Sequence, residues 1–228
     1  MMPVEDVVTE IRVTQRVGVI DGFVNCLGIG VIQGSWPKWL TDIWDSWTED
    51  SENIHPSDLP AEQIYALIVL PDGGKDLEHS PPFTISQCKS IVQQLVAALA
   101  TAEHLLRFEH RDLHWGNVLV RDITADEDME HSAAIRDHEF KVPCHGIQVC
   151  IIDYTWGRVE GEDCIYTAMD DPSLFEGPGK GKRGGDLQFD VYRWMKDEVN
   201  DEWGQFFPKT NIFVRSDLSP VCCNYQDL

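Results

Sequence analysis

Asp112 stands five residues before Asn117, directly after His110-Arg111, and the apolar run Val118-Leu119-Val120 follows. A short loop with this spacing can aim the aspartate carboxylate at a substrate hydroxyl while the asparagine amide oxygen reaches a metal ion. A third residue, Asp153, closes the apolar run Ile147–Ile152, where a strand tip can present a carboxylate to the same ion. Phosphoryl transfer needs this division of labour. The charge lies on the phosphate, and the protein contributes positioning and metal electrostatics. Each acid alone says little, because hydrogen-bonded turn residues use the same types. The combination of Asp112, Asn117 and a strand-terminal Asp153 carries the reading.

Several elements must hold these residues in place. Thr84 to Phe108 reads as the best helix in the chain: Thr84 and Gln87 have capping-box spacing, and Ile91, Val92, Leu95, Val96, Leu99, Ala102, Leu105 and Leu106 supply a wide apolar face. It leads directly into the loop. Val118–Val120 and Gln148–Ile152 can pair as a hairpin across a polar, acidic insertion at 121–146, which brings Asp153 next to Asn117. Upstream, Val4, Val7, Val8 and Ile11 have helical spacing over residues 4–16, and Glu10 lies in that helix. Residues 17–33 read as β structure, with a turn at Asp21-Gly22. Gly28-Ile29-Gly30 reads as a hairpin or bulge, since it lacks the G-x-G-x-x-G pattern of a phosphate loop. A tryptophan-rich helix (37–47), a polar loop (48–61) and a buried strand (63–71) follow, broken by Asp72-Gly73-Gly74. Residues 154–189 read as loop, including the Gly/Lys-rich segment 177–185, which is not a Walker A motif. Phe189–Asn200 reads as a helix, and no clear helix follows Glu202.

Bulk properties narrow the class. The 228 residues are 43% hydrophobic, as in globular chains, and hold no apolar run of the length that spans a bilayer. No membrane association and no secretory leader are expected. Seven cysteines without C-x-x-C spacing fit a reducing compartment better than a disulfide or zinc framework. The net charge of −21 argues against direct nucleic-acid binding and suits a basic partner, although acidity can also serve solubility alone.

The stretch Arg107-Phe108-Glu109-His110-Arg111-Asp112-Leu113-His114-Trp115-Gly116-Asn117 has the protein-kinase catalytic-loop pattern H-R-D-x-x-x-x-N. In detail it resembles haspin, an atypical kinase that phosphorylates a threonine near the N-terminus of histone H3. Asp153-Tyr154-Thr155 is similar to the haspin variant of the usual Asp-Phe-Gly, and Gln188-Phe189-Asp190-Val191-Tyr192-Arg193 matches as well. No A-P-E motif follows Asp153, as in the family.

The resemblance implies an α+β, protein-kinase-like fold. Residues 1–75 would supply a partial N-lobe (helix C and the following strands) and hinge, and residues 76–228 a mainly helical C-lobe. It implies ATP and Mg2+ as cofactors, with Asp112, Asn117 and Asp153 catalytic and the last two holding the metal. Glu10 would be the helix-C glutamate, Leu70 the gatekeeper, and Pro71 to Gly73 the adenine-binding hinge, where Pro71 can accept but not donate a hydrogen bond. Asp190 would brace the catalytic loop from below. Asp76, Glu78, Asp112, Asp170, Asp171 and Asp186, with His114 beside the loop, would read a basic histone tail. A monomeric, nuclear, chromosome-associated kinase is expected. The match begins at the helix carrying Glu10; Lys38 is the first lysine in these residues, and Ser216–Leu228 has no counterpart. The nucleotide site is therefore expected to be incomplete within this stretch. A degenerate lobe that binds basic tails without phosphate transfer is the alternative. A small-molecule phosphotransferase of the aminoglycoside-kinase type fits Tyr154-Thr155 less well.

Overall fold

The computed structural model describes residues 3–47, 54–123, 129–135, 138–180 and 185–214. It divides into two compact units, residues 26–70 and residues 1–25 with 71–228. In chain order, helix α1 spans Val4–Val17. The smaller unit then holds β1 (Gly28–Gln33), α2 (Lys38–Trp47) and β2 (Ile64–Val69). The rest of the larger unit runs β3 (Lys75–Asp76), α3 (Ile85–Leu106), β4 (Val118–Asp122), β5 (Glu130–Ile135), β6 (His138–Pro143), β7 (Ile147–Ile151), β8 (Arg158–Glu160), β9 (Cys164–Tyr166), α4 (Ser173–Glu176), α5 (Leu187–Val199) and α6 (Lys209–Val214). The content is α+β. No helix among the described residues is long and apolar enough to cross a membrane.

In the smaller unit, β1 and β2 pair antiparallel from Gly28 opposite Val69 to Gln33 opposite Ile64. Trp36 packs edge-on against Trp44 and Tyr65, and Trp44 against His55, so the tryptophan-rich stretch builds a local aromatic cluster. The strand expected over 63–71 exists but is not buried: Ile64, Leu67 and Val69 are exposed. An apolar run specifies extended backbone, but it does not specify whether a second layer covers it.

The larger unit is organised by α3. Thr84 caps it through the expected reciprocal bonds with Gln87. Its inner face, including Ile91, Leu95, Ala98, Leu99 and Ala102, is buried in one core with Val13 and Val17 of α1, Val118 of β4, Val149 and Ile151 of β7, and Met195 of α5. β4 lies between β3 and β7, antiparallel to both, with Val118 opposite Ile151. Gln94, wholly buried on α3, ties the helix to β7. Its amide nitrogen donates to Ser90 Oγ (2.9 Å) and the Ile147 carbonyl (3.1 Å), and its oxygen accepts from Val149 N–H (3.0 Å).

Four local expectations are corrected. Residues 17–27 form no hairpin: α1 runs through Val17, and Phe23 makes one isolated parallel bridge to Ile151. Their apolar side chains are β-like in type, but Ile20, Phe23 and Val24 are drawn into the core as a turn. The polar insertion at 121–146 contains the hairpin β5–β6, packed on α3. The stretch 154–189 contains the hairpin β8–β9 and the short helix α4, and α6 forms beyond Glu202. These elements are too short for a clear period, and tertiary contacts support them. Within the Gly/Lys-rich segment, residues 181–184 lie outside the described residues, as do Ser216–Leu228, Cys222, Cys223 and residues 48–53 of the polar loop.

Candidate active site

After α3 the chain turns sharply, with Arg107 in the left-handed region (φ 46°) as its C-cap. Glu109 then pairs with Arg158 through both backbone bonds, 2.9 and 2.8 Å. The Glu109 carboxylate is wholly buried. It meets Arg111 at 3.2 Å and Arg158 at 3.8 Å, and accepts from Phe207 N–H (3.0 Å) and Thr210 Oγ1 (2.8 Å). Arg111, also fully buried, donates to the Trp203 carbonyl at 2.8 Å and lies 5.3 Å over the Trp203 ring; its Nη1 has no partner among the described residues. The side chains from Phe108 to Arg111 are thus all buried. Glu109 and Arg111 point inward and anchor it, while Asp112 remains half-buried.

His110 joins the loop to the strand that carries Asp153. Its Nδ1 accepts from Asp112 N–H (3.3 Å) and its Nε2 lies 3.1 Å from the Ile152 carbonyl. These bonds require the neutral tautomer with the proton on Nε2. Burial favours the same form, pushing the His110 pKa down to about 4.

The Asp112 carboxylate is held on one side. Oδ1 accepts from the Tyr192 hydroxyl (2.6 Å) and from the Gln188 amide nitrogen (3.0 Å), both on α5. Oδ2 has no hydrogen-bond partner among the described residues. Burial pushes this carboxyl up, while the Tyr192 bond, the nearby His114 and the Gln188 bond pull it down. His114 itself turns inward locally, with Nδ1 accepting Gly116 N–H at 3.1 Å.

Asn117 donates its amide nitrogen to the Asp112 carbonyl (2.9 Å), so its side-chain oxygen is left facing away from that bond. Its own carbonyl accepts Ile152 N–H at 3.0 Å, which places Asp153 one residue beyond the loop. Asp153 is exposed and left-handed (φ 63°); its Oδ1 accepts from Thr155 N–H (3.1 Å) and Thr155 Oγ1 (2.8 Å). Among the described residues, Asn117 and Asp153 therefore each keep one oxygen outside any hydrogen bond. Such a donor set suits a hard divalent cation such as Mg2+. Tyr154 explains why the backbone here is fixed. It packs edge-on against Phe108, lies near His110 and Phe23, donates to the Ile151 carbonyl (2.6 Å) and accepts from Val24 N–H (3.2 Å).

Glu10 on α1 reaches the same place. Burial pushes its carboxyl up, the Asp153 charge adds to the rise, and a hydrogen bond from Thr155 opposes it. Among the described residues Glu10 forms no ion pair. Leu70 lies at the end of β2 in the smaller unit and is exposed; Pro71 is exposed and Gly73 half-buried in the larger one. Gly74 closes this segment at φ 95°, where a Cβ would stand 2.2 Å from the Val120 carbonyl.

The acidic residues expected to read a basic tail are at the surface, and several have local bonds. Asp76 accepts from His79 through backbone and ring, and Glu78 is exposed beside it. Asp170 is exposed after the buried Met169; Asp171 accepts from Ser173 N–H and Oγ; Asp186 caps α5 through Gln188 N–H. Asp190 accepts Lys180 N–H (2.7 Å) and pairs with Arg193 (2.6 Å). The bonds from α5 to the Asp112 carboxylate come from Gln188 and Tyr192. Sequence reasoning assigned no role to these two, nor to Thr155 or Glu109. All four sit inside the motif stretches already noted, but residue type alone does not show which face of a helix or loop they occupy.

The family described as "Haspin like kinase domain" matches residues 1–219. The chain is 34% identical over 223 residues to "Serine/threonine-protein kinase haspin" of Bos taurus, covering 91% of this chain and 27% of that one. It is 33% identical over 226 residues to the haspin homolog hrk1 of Schizosaccharomyces pombe, with 91% and 45% covered. It is 36% identical over 194 residues to the haspin homolog of Arabidopsis thaliana, with 83% and 31% covered. The chain thus spans less than half the length of these curated relatives.

Proposed function

We propose a reaction for this chain, which belongs to the haspin-like kinase domain family: transfer of the ATP γ-phosphoryl group to a threonine hydroxyl in a basic histone H3 tail. The observation that carries the reading is the state of Asp112. One carboxylate oxygen is fixed by α5 and the other is uncommitted among the described residues, on the same loop as Asn117 and one strand-end from Asp153.

In this reading the free oxygen of Asp112 orients the threonine hydroxyl and takes its proton as the hydroxyl oxygen bonds to phosphorus and ADP leaves. Asn117 and Asp153 would hold Mg2+, which would offset the phosphate charge. Thr155 keeps the Asp153 carboxylate turned in one direction. Neutral His110 keeps the loop and the Asp153 strand at a fixed separation. The half-buried Asp76 and the exposed Glu78, Asp170, Asp171 and Asp186, within a chain of net charge −21, suit an Arg/Lys-rich tail by charge-assisted contacts and fast encounter. Pro71 to Gly73 of the larger unit would take the adenine. Such a substrate would place the protein on chromosomes in the nucleus, and a monomer is the proposed state. The kinase relatives favour this enzyme over a module that only binds tails.

The test is transfer of labelled phosphate from Mg-ATP to a histone H3 tail peptide, with Asp112→Asn as control. Transfer well above the control is expected. Transfer equal to the control overturns the catalytic reading, and calorimetry with the same peptide then reports whether the tail is bound at all.

A further inference from the structure

Three polar groups close a ring on the α5 side of the loop. Tyr192 Oη lies 2.6 Å from Asp112 Oδ1, Gln188 Nε2 lies 3.0 Å from the same oxygen, and Gln188 Nε2 lies 2.6 Å from Tyr192 Oη. The protons can be counted. A carboxylate only accepts, so the Tyr192 O–H must point at Asp112, and the Gln188 amide must present its nitrogen rather than its oxygen. Both oxygens lie on one side of Gln188 Nε2, so the amide nitrogen faces the Asp112–Tyr192 pair and donates into it.

This ring is built on a rigid element. Gln188 and Tyr192 are four residues apart on α5, so they stand one turn apart on one face. Tyr192 is buried, and Val191, Met195 and Val199 hold the helix in the core. Asp186 caps the first turn and donates nothing to the ring. The carboxylate is therefore gripped from a helix whose position is fixed by packing, about 80 residues away in sequence.

We infer that Gln188 and Tyr192 are positioning residues for the proposed phosphoryl transfer: by occupying Oδ1 of Asp112 from α5 they fix the rotation of the carboxylate and leave Oδ2 aimed at the substrate hydroxyl. The inference rests on the catalytic reading given above. Neither residue touches the substrate in it; both act through Asp112. A carboxylate free to rotate would spend part of its time with neither oxygen placed to receive the proton, and misplacement of this kind lowers the rate of the chemical step without weakening binding.

Two measurements on the whole chain test this. In the first, Tyr192→Phe, Gln188→Leu and the double variant are compared with the unaltered protein for transfer to the basic peptide. Tyr192→Phe should lower kcat between about tenfold and a hundredfold. KM for ATP and for peptide should stay within about twofold. The double variant should fall further. A rise in KM at unchanged kcat, or no change in either, overturns the inference.

The second measurement does not need turnover. The Tyr192 hydroxyl proton, locked between a phenol and a carboxylate, should give a slowly exchanging, downfield proton NMR signal. That signal should be lost in Asp112→Ala and Tyr192→Phe and kept in Asp153→Asn. Absence of the signal from the unaltered protein, or its persistence in Asp112→Ala, overturns the inference even if the chain transfers phosphate. A chain that shows the signal and transfers no phosphate instead counts against the catalytic reading, while the grip on Asp112 stands.

Discussion

Glu109 and Arg158 exchange both backbone hydrogen bonds, at 2.9 and 2.8 Å, and their side chains meet again at 3.8 Å in a fully buried setting. This pair joins the entrance of the Asp112 loop to the hairpin that follows Asp153. The two halves of the candidate site are therefore held by one buried junction, which also takes in Arg111, Thr210 and Phe207.

Neutralising that junction should be costly. Glu109→Gln leaves two buried guanidinium groups facing a group without charge. A loss of about 3–5 kcal/mol is expected, because breaking a buried ion pair from one side strands the partner. Urea unfolding at pH 7 measures it, and a loss below about 1 kcal/mol, the range of surface pairs, would contradict this account.

His110 predicts an acid dependence. Its folded pKa, about 4, lies below the ordinary value of 6.5, so between those pH values the unfolded chain binds a proton that the folded chain does not. The stabilising contribution is complete above pH 6.5 and is lost as pH falls toward 4, at about 1.4 kcal/mol per pH unit. Urea midpoints at pH 7 and pH 5 should fall further apart for the unaltered chain than for His110→Gln. Equal differences would show that His110 is not the titrating group.

Gln94 makes three buried bonds, one to Ser90 within α3 and two that cross to β7. Gln94→Leu keeps the volume but orphans the Val149 N–H and the Ile147 carbonyl. Each orphaned group is expected to cost about 1–3 kcal/mol. Thermal unfolding reads the sum, and a neutral result would mean that water or a shifted strand replaces the amide.

Asp153→Asn separates chemistry from folding. The side chain is exposed, and the residue sits at φ 63°, which asparagine adopts readily. Stability should stay within about 0.5 kcal/mol of the unaltered chain. Phosphate transfer to the peptide should fall at least as far as in Asp112→Asn. Thr155→Val, which keeps the backbone bond to Asp153 and removes only the hydroxyl, should lower transfer less than Asp153→Asn does.

Sequence alone determined the features that depend on neighbours along the chain. The Asp112–Asn117 spacing, the Thr84–Gln87 cap, and the helices read over residues 4–16 and 189–200 all carry a local period or motif that physical chemistry can decode. So does the pairing of residues 118–120 with 148–152, because two apolar runs flanking a polar insertion have few other partners. The tertiary structure decided the rest. Ile20, Phe23 and Val24 look like strand residues but fill the core as a turn, since burial outweighs their extended preference. The hairpins β5–β6 and β8–β9 are too short to announce themselves. Above all, Tyr192 reaches Asp112 across 80 residues. Its position in the sequence shows that it lies on a helix; only the packing of that helix against the loop shows which oxygen it holds.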